Sequence, residues 1–175
     1  MEKRNNPSIL KMVLMSLALV LVITYLGISL NTNDLFWFDQ RFDETAFQIV
    51  VHCYGTDVIL DPTSPNFERL NQLFNQTLTG TKRWDPLSMS EATYQDYQTH
   101  PKMMSIQAFY APPVRVHSNV KFFSNVTTLI IPLDARHSAS NAVFGRNQTY
   151  PVAGSLHVES TALLTEYLVA EGLCR

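Results

Sequence analysis

The longest uncharged apolar segment of the chain begins at Met12 and ends at Leu30. A helix needs about 20 apolar residues to cross the hydrocarbon layer of a bilayer. The apolar residues of this segment leave no polar face at the 3.6-residue period that is typical of a core helix. The pattern therefore predicts a transmembrane helix over residues 12–30, used as an uncleaved signal anchor.

Two other interpretations of this segment predict a different mature protein. A secretory signal also has a basic start and an apolar run, but it ends at a small-residue cleavage site. The only cleavage-like context, Gly27-Ile28-Ser29, lacks the A-x-A form, so we expect anchoring rather than cleavage. A helix buried in a soluble core is the third alternative, and the missing polar face argues against it.

The charges that flank the segment predict its orientation. Lys3, Arg4 and Lys11 precede it, whereas residues 31–44 carry four acidic residues and one arginine. Basic flanks stay in the cytoplasm, so we expect a single-pass protein of the cell membrane with a cytoplasmic amino terminus. The predicted organisation is a cytoplasmic stub over 1–11, the anchor, a juxtamembrane linker over 31–45 and an extracytoplasmic domain over 46–175.

Three aromatic residues, Phe36, Trp37 and Phe38, directly follow the apolar segment. Aromatic side chains are enriched at the headgroup level of membranes. They also pack readily against a folded domain. Both interpretations remain open from the sequence.

The pattern changes to a period of two after residue 45. Apolar and polar positions alternate over residues 46–54, and Gly55-Thr56-Asp57 then predicts the turn of a hairpin that returns over 58–60. The prolines of Ala111-Pro112-Pro113 cannot donate ladder hydrogen bonds and predict a break or an edge. The further predicted strands cover residues 103–110, 114–117, 126–133, 141–146 and 153–159.

Three helices are predicted in the same region, which makes the fold class α+β. The first starts at Ser64-Pro65 and ends at Gly80, with an apolar stripe at three- and four-residue spacing. A short helix over 91–98 is capped by Ser90. The last helix covers 160–172, and four of its residues are expected to face inward: Leu163, Leu164, Tyr167 and Leu168. We expect one domain with an antiparallel or mixed β-sheet packed against two or three helices, all on one face.

Charge excludes one class of partner. The chain is 16% charged with a net charge of −2, and after residue 30 it has 10 basic against 14 acidic residues. Nucleic-acid binding requires a basic surface, so no nucleic-acid partner is predicted. Glycine-rich phosphate loops and CxxC pairs are also missing from the sequence, so no cofactor is predicted.

The cysteines and glycosylation sequons bear on the compartment. Cys53 and Cys174 form a disulfide if the compartment is oxidising and the fold brings them together, and otherwise remain two free thiols. N-x-[ST] sequons occur at Asn75, Asn125 and Asn147. They can carry glycans only if the domain lies outside the membrane of a eukaryotic cell.

The segment after the strand 126–133 is the densest in reactive side chains. Asp134, His137 and Ser138 are the candidate catalytic residues of a hydrolase. No G-x-S-x-G elbow is present to expose a serine nucleophile, and the three residues are close neighbours in the chain. The alternative is a well-capped loop in which Asp134 and Arg136 bind the backbone and each other.

Two further constellations depend on how the strands pair. Arg115, Arg136 and Arg146 are candidates for binding an anionic ligand, because guanidinium groups clamp carboxylate or phosphate. The candidate metal ligands are two imidazoles and one carboxylate, which suit a catalytic metal with an open position. They are His117, His157 and Glu159.

We expect a non-catalytic binding or interaction module that is held at the membrane by residues 12–30. Its expected partner is another envelope protein or a small ligand near the membrane. The alternative function is an extracytoplasmic hydrolase or metal-dependent enzyme that uses the His, Asp and Glu residues of the strand-rich half.

Overall fold

The computed structural model describes residues 8–148 and 150–174. Its first element, α1, is the 24-residue helix Ile9–Thr32, about 36 Å long. By length and composition α1 is able to cross a membrane, and only 6% of its most apolar window is buried. The exposed side chains exclude the alternative that this segment is a core helix.

Seven strands form one antiparallel sheet in the order β2-β1-β4-β5-β6-β7-β3. The predicted α+β class is therefore confirmed, and of the two predicted kinds of sheet the antiparallel one is present. The strand β3 was not predicted, because three residues carry too little periodicity to detect. The strands are β1 Gln48–Cys53, β2 Thr56–Leu60, β3 Arg83–Asp85, β4 Met104–Val114, β5 Val126–Asp134, β6 Ala142–Arg146 and β7 Ser155–His157.

The hairpin between β1 and β2 has a two-residue turn, Tyr54-Gly55. Both residues have positive φ, 49° and 89°, as a type I′ turn requires. Strand β2 thus begins at Thr56, within the predicted turn. The register pairs Cys53 with Thr56 and His52 with Asp57.

One face of the sheet packs against α2 (Phe67–Leu78) and α4 (Ala162–Ala170). The predicted apolar stripe of α2 is confirmed, because all of its five residues are buried. The predicted start at Ser64-Pro65 is wrong, since Ser64 instead hydrogen-bonds Asp61 and the helix begins at Phe67. In α4, Leu164 and Leu168 are fully buried, as predicted.

The opposite face carries α3 (Glu91–Thr99). Its predicted cap is confirmed, because the Ser90 hydroxyl accepts the Thr93 N–H at 3.1 Å. The buried Tyr97 packs beside Phe144 of β6, and its carbonyl accepts the Ser105 hydroxyl of β4. Helices therefore cover both faces of the sheet, rather than one face as predicted.

Strand β4 extends through Ala111-Pro112-Pro113 to Val114. Its ladder to β5 is interrupted at the prolines, as predicted, although the strand itself continues. Phe109 pairs with Thr128 and Val114 pairs with Val126, and the irregular stretch between them needs no ladder N–H from proline. Residues 115–117, predicted as a strand, follow β4 as irregular chain.

Candidate functional site

The clearest convergence of charged side chains lies where α1 meets the sheet. The Asp34 carboxylate, 7% exposed, lies just after the helix. Its Oδ2 is 2.8 Å from His117 Nδ1 and 3.8 Å from Arg115 Nη1. Its Oδ1 accepts the Phe36 N–H at 2.9 Å. We call Asp34, Arg115 and His117 the junction cluster.

The junction cluster also binds the carboxyl end of α1. Arg115 Nη1 donates to the Asn33 carbonyl at 3.1 Å. A cation at this end of a helix is favourable, because the unpaired carbonyls carry partial negative charge. Ser29 and Thr32, in the last turn, are buried. The helix end is thus held against the domain by packing and by charge.

A cleft of about 240 Å³ adjoins the junction cluster. Lys82 lines it, but its ammonium donates to three carbonyls, those of Leu78, Gly80 and Gln40, at 2.8–3.0 Å. Burial lowers the pKa of Lys82 below its usual value, and the Asp39 carboxylate partly offsets this effect. The ammonium has three protons, so it ties the end of α2 to the preceding segment instead of serving as an anion site.

The candidate catalytic residues do not converge. Asp134 accepts the Tyr54 hydroxyl at 2.9 Å, whereas His137 Nδ1 lies 2.8 Å from the Tyr97 hydroxyl on the other side of the loop. Burial and the Arg136 charge lower the pKa of His137. Ser138 begins a short 3-10 turn, and within the described ranges no hydrogen bond links these three side chains.

The candidate anion-binding arginines lie at three separate places. Arg115 belongs to the junction cluster, and Arg136 is exposed on the loop between β5 and β6. Arg146 lies 4.0 Å over the Tyr94 ring and 2.9 Å from Glu91 Oε2. Arg146 therefore fixes α3 to the sheet, and the three guanidinium groups do not form one clamp.

The candidate metal ligands are also dispersed. His117 binds Asp34, while His157 Nδ1 lies 2.8 Å from the Ser140 carbonyl oxygen. Glu159 is exposed, and its carbonyl accepts the Asn141 amide. Among the residues that the structure describes, no three His, Cys, Asp or Glu side chains are grouped to hold a metal ion.

A row of three side chains has the residue types of a hydrolytic relay, and no local sequence pattern predicts it. Asp57, His52 and Ser105 occupy paired positions on β2, β1 and β4, and His52 Nδ1 lies 2.6 Å from Asp57 Oδ1. However, Ser105 is 0% exposed, and its hydroxyl donates to the Tyr97 carbonyl at 3.0 Å. A nucleophile must reach substrate, and the buried Ser105 does not. The row therefore links three strands of the sheet instead of serving as a relay.

The cysteines are joined in a disulfide, with their Cα atoms 5.4 Å apart. This is an ordinary separation for the bond. Of the sequon asparagines, Asn75 is buried, and its Nδ2 donates to the Glu44 carbonyl at 2.8 Å. Asn125 and Asn147 are exposed. The folded domain therefore offers a glycosylating enzyme the sequons at 125 and 147, but not the one at 75.

The junction cluster binds the Asp34 carboxylate within the chain, and it holds the end of α1 at a fixed place on the domain. Sequence reasoning selected Arg115 and His117 but missed Asp34, which it used only as a flanking charge.

Comparison of the chain with protein-family models, with curated proteins and with solved structures finds no match.

Proposed function

We propose that this chain is a single-pass membrane protein whose carboxyl-terminal domain is an extracytoplasmic, non-catalytic interaction module. The observation that carries the proposal is α1, an apolar helix whose residues 9–27 are all exposed. That much apolar surface in water is unfavourable, and lipid is the solvent that relieves it.

Two observations support an extracytoplasmic domain. The disulfide Cys53–Cys174 is a bond that persists in oxidising compartments and is rare in the cytosol. The basic residues Lys3, Arg4 and Lys11 precede the helix, whereas acidic residues dominate the segment after it. Both observations favour the same topology, with the amino terminus in the cytoplasm.

The reactive side chains are already paired with other groups of the domain, and this supports a binding role over catalysis. Asp134, His137 and Arg146 each contact another part of the domain, as does the junction cluster. The anchor confines the domain to a surface and raises its effective concentration for neighbours there. The partner we propose is therefore another envelope protein or a small ligand close to the membrane.

Topology is tested with the full chain in a bacterial host. We expect it in the membrane fraction after alkaline carbonate washing, and we expect protease added to spheroplasts to digest the domain. Intact chain in the cytosol, or a domain that resists the protease until the membrane is lysed, would overturn the proposal. Lysed spheroplasts serve as the control for intrinsic protease resistance.

Activity is tested on the same purified chain. We expect no turnover of generic ester or phosphoester substrates, and we expect chemical crosslinking in intact membranes to recover a partner protein. Hydrolysis that is lost in His137→Ala, with the far-ultraviolet circular dichroism unchanged, would instead favour the hydrolase.

A further inference from the structure

The residues that follow α1 turn back along the helix instead of leading away from it. The Tyr25 hydroxyl donates to the Leu35 carbonyl at 3.1 Å, and the rings of Tyr25 and Phe38 have centroids 6.3 Å apart. Tyr25 lies seven residues before the end of the helix, about 10 Å along its axis. We call residues 35–38 the hook.

The hook is apolar and exposed. Leu35, Phe36 and Phe38 are 60%, 59% and 57% exposed. Asp34 is the only acidic or basic residue from Met12 to Phe38, and it is buried in the junction cluster. The hook therefore adds exposed apolar side chains beside Tyr25 of α1, and the exposed residues between Leu30 and the hook, Asn31 and Asn33, are polar but uncharged.

Hydrogen bonds occupy polar backbone groups of the hook. The Leu35 carbonyl accepts the Tyr25 hydroxyl, and the Phe36 N–H donates to Asp34 Oδ1 at 2.9 Å. The Phe36 carbonyl accepts the Asp39 N–H at 2.8 Å. Irregular chain is tolerated at membrane depth only where its polar groups are satisfied within the protein. The hook meets this condition at three groups.

The uncharged length of α1 gives the depth of the hook. Residues 12–30 carry no charge and measure about 28 Å, close to the ~30 Å of a hydrocarbon core. If this segment spans the bilayer, the outer boundary lies near Leu30, within about 8 Å along the helix axis of Tyr25 and the hook beside it. Aromatic side chains are favoured at this depth.

We propose that the hook inserts into the headgroup boundary of the lipid bilayer beside Tyr25 and seats the domain directly on the membrane. This inference rests on the proposed function, because it requires α1 to span the bilayer. The occupant of the apolar surface is lipid, since Phe38 of the hook contacts Tyr25 of the helix and the exposed hook side chains carry no charge. The junction cluster then fixes the angle between helix and domain from the inner side.

The test uses full-length single-tryptophan variants in phosphatidylcholine vesicles that carry bromine on their acyl chains. Trp84→Phe leaves Trp37, in the hook, as the only tryptophan. We expect bromine to quench its fluorescence, most strongly when the bromine lies close to the headgroup. Two reference probes, Leu19→Trp in α1 and Tyr54→Trp at the β1–β2 turn, are made with both native tryptophans changed to Phe.

The reference probes separate the two proposals. If the Leu19→Trp probe is not quenched, α1 is not in lipid, and the proposed function fails. If that probe is quenched while Trp37 is quenched no more than the Tyr54→Trp probe, the hook inference alone fails. The hook is then in water or is covered by protein, such as a second copy of the chain.

A pair of double variants tests whether the exposed rings hold the hook in lipid. In the Trp84→Phe background, we expect Phe36→Ser with Phe38→Ser to lose most of the quenching of Trp37. The matched control, Phe47→Ser with Ile59→Ser, removes residues of similar exposure, 50% and 61%, from the sheet, and should retain the quenching. Full quenching in the hook variant, or equal loss in both variants, would overturn the inference.

Discussion

The two ends of the sheet are held by different forces. At the end near α1, the Asp34 carboxylate joins Arg115 and His117. At the far end, where Cys53 pairs with Met104, the main cross-link is covalent. The near end therefore depends on charge and the far end on redox state. Histidine and aspartate side chains pair at both ends. Near α1, an arginine and a histidine converge on one buried carboxylate, that of Asp34.

Removing the disulfide should have the largest effect. Cys53→Ser with Cys174→Ser releases a cross-link between residues 121 positions apart. Because the unfolded chain then gains freedom, we expect the free energy of unfolding to fall by about 4 kcal/mol. Urea titration in detergent micelles measures it. A reductant added to the unchanged protein should give a similar loss, and a loss equal to that of Tyr54→Phe would refute the contrast.

Asp34→Ala tests the near end and should rank second. It leaves Arg115 and His117 without their carboxylate, so we expect a loss of about 2–3 kcal/mol. The matched control is Asp134→Ala, an exposed carboxylate at the far end, with an expected change within about 0.5 kcal/mol. Equal urea midpoints for the two variants would show that the junction cluster does not stabilise the domain.

Acidification tests the loop between β5 and β6. Burial and Arg136 lower the pKa of His137 below 6.5, its value in an unfolded chain. Below that pH the unfolded state binds more protons than the folded state, so the free energy of unfolding falls with decreasing pH. We expect His137→Gln to lose less stability than the unchanged protein between about pH 7 and pH 5. A larger loss in the variant would contradict the sign.

The smallest expected effect is that of Tyr54→Phe. It removes the hydrogen bond from the Tyr54 hydroxyl to Asp134, which lies in contact with water. We expect a loss of about 0.5 kcal/mol, because water replaces the lost partner. Measured beside Asp34→Ala by the same urea titration, it shows how far burial raises the value of a carboxylate contact. A loss above that of Asp34→Ala would reverse the comparison.

Local periodicity was enough to predict much of the fold. The period-two alternation found β1, and the three- and four-residue spacing found α2, since burial on one face requires those patterns. The density of β-branched residues found β5. The short β3 could not be found in this way. Leu163 was predicted to face inward but is 44% exposed, whereas Leu164 and Leu168 are buried in the core and Tyr167 packs against it.

The site could be predicted only in part, because its contacts are long in sequence. Arg115 and His117 were selected as alternating residues, but their partner Asp34 lies 83 positions before His117. No local pattern reports that distance. Conversely, Asp134 and His137 are close in sequence but bind different residues, Tyr54 and Tyr97. The backbone between them turns at His137, whose φ of 73° is left-handed. Closeness in the chain therefore does not bring these two side chains into contact.

The disulfide also orders events in time. Ribosomes add residues from the amino end, so Cys53 is made more than a hundred residues before Cys174. The covalent ring cannot close on any product that stops before residue 174. Prematurely terminated chains therefore lack the cross-link and the stabilisation of about 4 kcal/mol that it supplies.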